Sequence, residues 1–150
     1  MKPLGELQLR LIEDPGTCPE QVGRFPRFRY MGSKFRLLPW LCGALGELPF
    51  ETATDAFSGS GVVSYLMKSM GKQVRSNDTL AFPSVLTSAT IANNATRLET
   101  GDLEPLLASK ARKRDEKFIR STFEGIFYTP QELSFLDDLW AGIREMNSPA

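Results

Sequence analysis

A glycine-containing turn, placed between a predicted strand and a predicted helix, is the feature that most constrains how this chain folds. Residues 55–61 read DAFSGSG, after the β-prone stretch 52–57 and before an apolar stretch, 62–70, with the pattern of a helix. A second short β-prone stretch follows at 73–77. A strand, a helix and a strand in this order form a βαβ unit with parallel strands. The sequence therefore predicts an α/β fold in which helices cover a mainly parallel sheet.

Helical patterns lie on both sides of this unit. Apolar residues recur at helical spacing over 33–48, where Pro39 predicts a late start or an early kink. After the second strand, Asp78 or Thr79 is the predicted cap of a helix that runs to about Leu98. A doubly wound sheet normally has about five strands or more, and only two are evident here. The sequence thus predicts the N-terminal portion of a larger sheet.

The pattern after Gly101 is also helical, but more polar. Residues 129–132 read TPQE, a capping box with proline at the first helical position. The helix that this box opens is predicted to carry four apolar side chains on one face. They are Leu133, Leu136, Trp140 and Ile143.

The composition limits the chemistry that the chain can perform. Its 150 residues suit one domain, and none of them is histidine. Histidine-dependent nucleophilic catalysis and H-E-x-x-H zinc sites are therefore excluded. Cys18 and Cys42 are too few for a structural zinc site, and we expect them to be reduced thiols in a cytoplasmic protein. Because suitable ligands are so few, we expect no metal. No stretch approaches the roughly 20 apolar residues of a membrane span, so we expect no membrane as a partner.

The glycine turn has the character of a nucleotide-binding turn. Glycines let the backbone approach a ligand closely, and the helix that follows presents free N–H groups at its start. The chain contains no Walker P-loop, but Gly59 and Gly61 nearly complete a dinucleotide fingerprint in which Ser64 takes the place of the third glycine. Asp78, near the end of the second strand, stands where an acid binds ribose hydroxyls. These residues alone leave open a nicotinamide or flavin site in an oxidoreductase and a purely structural turn.

Two further features shift the balance between these interpretations. Asp55 is an acid on the incoming strand, at a position that is usually apolar in dinucleotide-binding strands. A carboxylate there suits an ammonium group, for which NAD offers no equivalent. The second feature is the upstream stretch 29–34, RYMGSK, which places an aromatic ring, small residues and a lysine at the start of a helix.

Together, RYMGSKFRLLPWL, DAFSGSG and the Asn-Asp pair at 77–78 resemble, in order and spacing, the motifs of the DNA adenine methylase family. These are the S-adenosylmethionine-dependent N6-adenine methyltransferases of the α order, with an aromatic-x-G-G-K segment, an (E/D)-P-F-x-G-x-G turn and an acid that closes the second strand. Residues 126–146 resemble a segment of some members more loosely. The resemblance implies a Rossmann-like methyltransferase fold, S-adenosylmethionine as cofactor and adenine in double-stranded DNA as substrate.

The resemblance also implies a role for each matching residue. Lys34 would contact the methionine carboxylate, Asp55 the methionine ammonium and Asp78 the ribose hydroxyls, through charge-assisted bonds that are strong in a partly buried site. Taken singly, the residues leave structural alternatives open: Tyr30 as a core aromatic, Lys34 as a surface lysine, and the two acids as caps. The full set of implied cofactor-binding residues is Tyr30, Lys34, Asp55, Phe57, Ser58, Gly59, Ser60, Gly61 and Asp78.

The sequence departs from the family in the part that carries the chemistry. The family's (D/N)-P-P-(Y/F/W) motif binds the target amino group and stacks on the flipped base, and no two of the ten prolines here are adjacent. Ser33 replaces the second glycine of G-G-K, and Ala56 replaces the proline before Phe57; we expect both to be tolerated. We therefore expect a cofactor half that is inactive alone and that requires a C-terminal half or a second chain as partner.

Basic and aromatic residues alternate in the stretch 24–36, which contains no acid. This pattern suits phosphate contact, and its candidate DNA-contact residues are Arg27, Arg29 and Arg36. A second basic run at 110–120 includes two acids and is more simply a solvated face.

These observations divide the chain into three parts. Residues 1–24 are an irregular lead-in, 25–100 a partial methyltransferase core that binds the cofactor, and 101–150 a helical segment that begins the region leading to target recognition. The predicted function is S-adenosylmethionine binding within a DNA N6-adenine methyltransferase. The alternatives are a fragment of an oxidoreductase that binds NAD or FAD and a non-catalytic DNA-binding remnant.

Overall fold

The computed structural model describes residues 17–107 and 117–146. The chain divides into two compact units, Met1–Ala95 and Thr96–Ala150. The first unit contains the glycine turn, so it is the unit that positions the candidate site.

The described part of the first unit, from residue 17, starts with short helical turns. Residues Glu20–Arg24 and Phe35–Leu37 form 3₁₀ helices, and helix α1 follows at Leu38–Gly46. Pro39 lies in the first turn of α1, where its missing N–H group would have no helical partner in any case. The predicted late start of this helix is therefore confirmed.

The predicted βαβ unit is present in the structure. Strand β1 spans Thr52–Asp55, helix α2 spans Val62–Ser69, and strand β2 spans Gln73–Ser76. The strands pair in parallel, from Thr52 opposite Gln73 to Asp55 opposite Ser76. The carboxyl ends of both strands therefore lie side by side, at the edge where the glycine turn begins. The result is a mixed helix–strand unit with a small parallel sheet, compatible with a methyltransferase-like α/β fold.

The core of this unit lies between α1, α2 and the segment before α1. Leu66 and Val62 on one face of α2 are almost completely buried. Burial of each such aliphatic side chain stabilises the fold by about 1.5–3 kcal/mol. The buried cluster consists of Val22, Phe25, Leu38, Cys42, Val62 and Leu66.

The two cysteines differ from the expectation. A disulfide bond joins Cys18 to Cys42, whose Cα atoms are 5.4 Å apart, and the described residues contain no free cysteine. The prediction of two reduced thiols is therefore wrong for this structure. Sequence spacing alone gave no sign that the segment before α1 folds back on that helix, which brings the two residues together.

The helix after β2 is shorter than the sequence predicted. Helix α3 spans Ala81–Thr87 and continues as a π-helix at Ser88–Ala92, where the predicted helix ran on to about Leu98. Neither Asp78 nor Thr79 is its N-cap residue; Leu80 has that position, and no side chain caps the helix there.

The second unit is helical in its described part. Helices α4, α5 and α6 span Thr100–Leu107, Phe118–Phe123 and Pro130–Glu145. The predicted capping box at the start of α6 is confirmed, since Thr129 and Glu132 each bond the other's backbone N–H. The predicted apolar face is buried at Leu133, whereas Trp140 and Ile143 at its far end are about half exposed.

Candidate cofactor-binding site

Two glycines of the turn between β1 and α2 cannot be replaced without strain. Gly59 has φ +51° and Gly61 has φ +77°, in the left-handed region that other residues rarely adopt. A Cβ atom on Gly59 would lie 3.2 Å from the ring of Tyr30, and one on Gly61 would lie 3.0 Å from the Thr87 methyl group. The turn therefore brings its backbone close to both the upstream segment and α3.

The end of β2 holds this turn in place. Asn77 accepts a hydrogen bond from the Ser58 N–H through its backbone oxygen, over 2.9 Å. The carboxylate of Asp78 accepts the Gly59 N–H at 2.8 Å and the Leu80 N–H at 3.0 Å. The N–H groups of Leu80 and Gly59 hold the pKa of Asp78 below its ordinary value. Asp78 is therefore ionised at neutral pH and links the turn to the start of α3.

The acid at the end of β1 also has a defined partner. Asp55 accepts a hydrogen bond from the hydroxyl of Ser64, with 2.7 Å between Oδ2 and Oγ. Ser64 is completely buried on α2, and Asp55 is half-buried. The two predicted acids thus follow neighbouring parallel strands, one on each side of the glycine turn.

The upstream stretch 29–34 reaches the same turn. The hydroxyls of Ser33 and Ser60 lie 3.2 Å apart, and the Tyr30 ring lies against Gly59. Lys34 is exposed and donates from Nζ to the backbone oxygen of Gly32. Two stretches that are well separated in the sequence therefore form one surface.

Aromatic rings line one side of this surface. Tyr30 lies parallel to Phe82 of α3, with an interplanar angle of 8° and centroids 6.4 Å apart. Phe28 meets both rings edge-on. Phe57, on the glycine turn itself, is 81% exposed, and Phe82 is 58% exposed. Exposed aromatic rings beside the turn are suited to contact with a planar or apolar part of a ligand.

The basic stretch borders a cavity of about 620 Å³ that extends to Ser60. Arg27, Arg29 and Arg36 line it, and the guanidinium group of Arg27 lies 5.0 Å from the centre of the Phe35 ring. No acid forms an ion pair with these arginines among the residues that the structure describes. Asp55 and Asp78 do not line this cavity.

The structure thus brings Tyr30, Asp55 and Asp78 together around residues 57–61, and the cavity lined by the three arginines reaches this turn at Ser60. For Lys34 it shows only the bond to Gly32, so the predicted place of Lys34 at the turn stays a prediction.

Sequence reasoning missed the hydrogen-bonding role of Ser64, which it treated only as a departure from glycine. It also missed Phe82 and Thr87, because the approach of α3 to the turn is a tertiary contact. A serine at the place of the third glycine was the available signal for Ser64.

Other kinds of site find no support in the described part of the chain. No group of three or more His, Cys, Asp or Glu side chains there is arranged to hold a metal ion. Within residues 17–107 and 117–146, no helix has the length and apolar character needed to cross a bilayer.

Comparison with known proteins decides the family. The family model of the D12 class N6 adenine-specific DNA methyltransferases matches residues 30–147. The chain belongs to this family. The family predicted from the sequence motifs is therefore confirmed, and the D12 match covers the glycine turn and both strands. Arg27 and Arg29 lie just before the matched region.

A curated relative agrees with this assignment. The chain is 28% identical over 125 residues to the Type II methyltransferase M2.HphI of Haemophilus parahaemolyticus. The alignment covers 83% of this chain and 36% of that methyltransferase, so the chain spans about a third of the length of the curated relative. No solved structure matches the chain.

Proposed function

We propose that this D12 family chain is the S-adenosylmethionine-binding part of a DNA N6-adenine methyltransferase with a Rossmann-like methyltransferase fold. The observation that carries the proposal is the convergence of Asp55, the glycine turn and Asp78 at the carboxyl ends of two parallel strands. Ligands of open α/β sheets bind at that end. The family assignment favours this function over an oxidoreductase that binds NAD or FAD.

The residues present fit this cofactor. Ser58 is 93% buried (7% exposed), and its hydroxyl has no hydrogen-bond partner among the described residues. A buried hydroxyl without a partner is costly, so a polar ligand over the turn would satisfy it. The absence of a Cβ atom at Gly59 and Gly61 lets Tyr30 and Thr87 pack against the turn, which keeps its backbone in the left-handed conformation.

Each side chain then has a distinct binding role. The Asp78 carboxylate, fixed by two backbone N–H groups, still has lone pairs to accept the ribose hydroxyls. Asp55 binds the methionine ammonium, and the exposed Lys34 reaches the methionine carboxylate. Tyr30 and Phe57 contact the nucleoside and methionine parts, together with the backbone of residues 58–61.

S-adenosylmethionine supplies an electrophilic methyl group on a sulfonium. The side chains described above are assigned to binding and orienting this cofactor, and none of them is assigned to the adenine amino group. The sequence has no adjacent prolines and hence no (D/N)-P-P-(Y/F/W) motif. We therefore expect the 150-residue chain to be inactive alone, with methyl transfer dependent on a C-terminal half or a second chain.

Arg27, Arg29 and Arg36 are proposed to contact phosphates of the double-stranded DNA substrate. They line a single cavity next to the turn, and no described acid neutralises them. Association with DNA would then weaken as salt rises, because bound phosphates release counterions. The relative's description as a Type II methyltransferase supports a place in a restriction–modification system. The cytoplasm is the location that we propose with this function.

Calorimetric titration of S-adenosylmethionine into the chain tests the proposal. We expect micromolar binding that Asp78→Ala weakens by about 10-fold or more, because that substitution removes the acceptor for the ribose. Asp102→Ala is the matched control, since Asp102 also accepts a backbone N–H but lies in the second unit. A folded chain that melts cooperatively yet shows no binding would refute the proposed function.

A further inference from the structure

A hydrogen bond between side chains links α2 to the end of β1. Ser64 Oγ donates to Asp55 Oδ2 over 2.7 Å, and Ser64 is 0% exposed. A buried hydroxyl needs a partner, and here the strand carboxylate supplies it. The bond also restricts rotation of the Asp55 side chain, which is only half-buried.

The size of residue 64 explains how this bond forms. Position 64 corresponds to the third glycine of a dinucleotide fingerprint, where a small residue lets the helix pack closely on the strand. Serine is small enough to keep that packing and adds a donor within reach of the acid on β1. Alanine would pack in the same space but would leave Asp55 without this bond.

We propose that Ser64 is a positioning residue whose hydroxyl orients the Asp55 carboxylate to bind the ammonium group of the cofactor's methionine moiety. This inference rests on the proposed function, since the ammonium group is that of S-adenosylmethionine. One carboxylate oxygen is held by Ser64, and for Oδ1 the described residues provide no hydrogen-bond partner. Oδ1 is therefore the oxygen that meets the ligand.

A comparison of three ligands separates positioning from general structural support. S-adenosylmethionine has both the ammonium and the carboxylate, its decarboxylated analogue keeps only the ammonium, and 5′-methylthioadenosine has neither. Ser64→Ala should weaken the binding of S-adenosylmethionine and of its decarboxylated analogue by about 5-fold, which corresponds to the loss of one hydrogen bond of ordinary strength. The same substitution should change 5′-methylthioadenosine affinity by less than about 2-fold.

The variants are chosen to isolate the contact with Asp55. In an Asp55→Ala background, Ser64→Ala should cause no further loss, because two residues that act through one contact are not additive. Ser69→Ala is the matched control, since its hydroxyl bonds the Tyr65 carbonyl of the same helix and should leave all three affinities unchanged.

The outcomes distinguish this inference from the proposed function. The positioning role would be overturned if Ser64→Ala lowered the affinity for all three ligands equally or for none of them. It would also be overturned if Ser64→Ala caused the same loss of affinity in the Asp55→Ala background. Each of these results would leave the proposed function intact. A folded wild-type chain that binds none of the three ligands would overturn both.

Discussion

At the residue scale, Asp78 is not the predicted N-cap of α3 but connects the glycine turn to that helix. Its carboxylate accepts N–H groups from Gly59 and from Leu80, so it braces the glycine turn against the start of α3. The position after β2 was predictable from the strand pattern. The bond to Gly59 was not, because it depends on the parallel register of the two strands.

The pKa of Asp78 leads to a prediction about stability and pH. Backbone N–H groups lower that pKa from its ordinary value of 3.8, so the ionised carboxylate stabilises the folded state above that pH. The stabilisation is lost as pH falls through the lower folded-state pKa. The wild-type chain should therefore melt at a higher temperature than Asp78→Asn near neutral pH, and the gap should close in acid. Thermal melts of both proteins from neutral to acid pH measure this difference in melting temperature. A difference that does not change with pH would contradict the stabilising role of the ionised Asp78 carboxylate.

At the scale of elements, the βαβ unit was predictable from the sequence. The existence of the helix after it was predictable as well, but its length was not. Strand, glycine turn and helix follow from local patterns at 52–70, and the structure confirms them. The helix beyond β2 leaves its regular path at the π-helix Ser88–Ala92 instead of running to about Leu98. Lys68 of α2 donates from Nζ to the backbone oxygens of Thr90, Ile91 and Asn93 at 3.2, 2.7 and 2.7 Å. No local pattern could reveal a lysine that binds the end of another helix.

Lys68 should accordingly stabilise the packing of α3 and its π-helix on α2. Lys68→Met keeps much of the aliphatic chain but removes a charged donor to three carbonyls, and we expect it to lower the free energy of unfolding by about 2 kcal/mol. Lys72→Met is the control, because the bond from Lys72 to the exposed Glu51 carboxylate should contribute less than about 1 kcal/mol. Urea denaturation measures the free energy of unfolding of both variants. Equal losses of stability in the two variants would contradict the proposed contribution of Lys68 to this packing.

At the scale of the whole molecule, the chain belongs to the D12 family and spans about a third of the length of its curated relative. One face of the two-stranded sheet is exposed at Thr52, Thr54, Gln73 and Arg75, while the alternate residues are partly buried. The described residues form the two strands that the sequence predicted. The family and the elements around the turn were predictable because they depend on local motifs. The disulfide and the Ser64–Asp55 bond depend on contacts between segments, which no single motif specifies.

The proposed roles of Asp55, Asp78 and the glycine turn all depend on S-adenosylmethionine binding over that turn. Amide NMR signals of the ¹⁵N-labelled 150-residue chain, followed during a titration with this cofactor, test this binding residue by residue. We expect the largest shifts at residues 55–61 and at Asp78, with smaller changes near Tyr30. An absence of shifts in the folded chain, or shifts confined to residues outside the turn and the two strand ends, would contradict it.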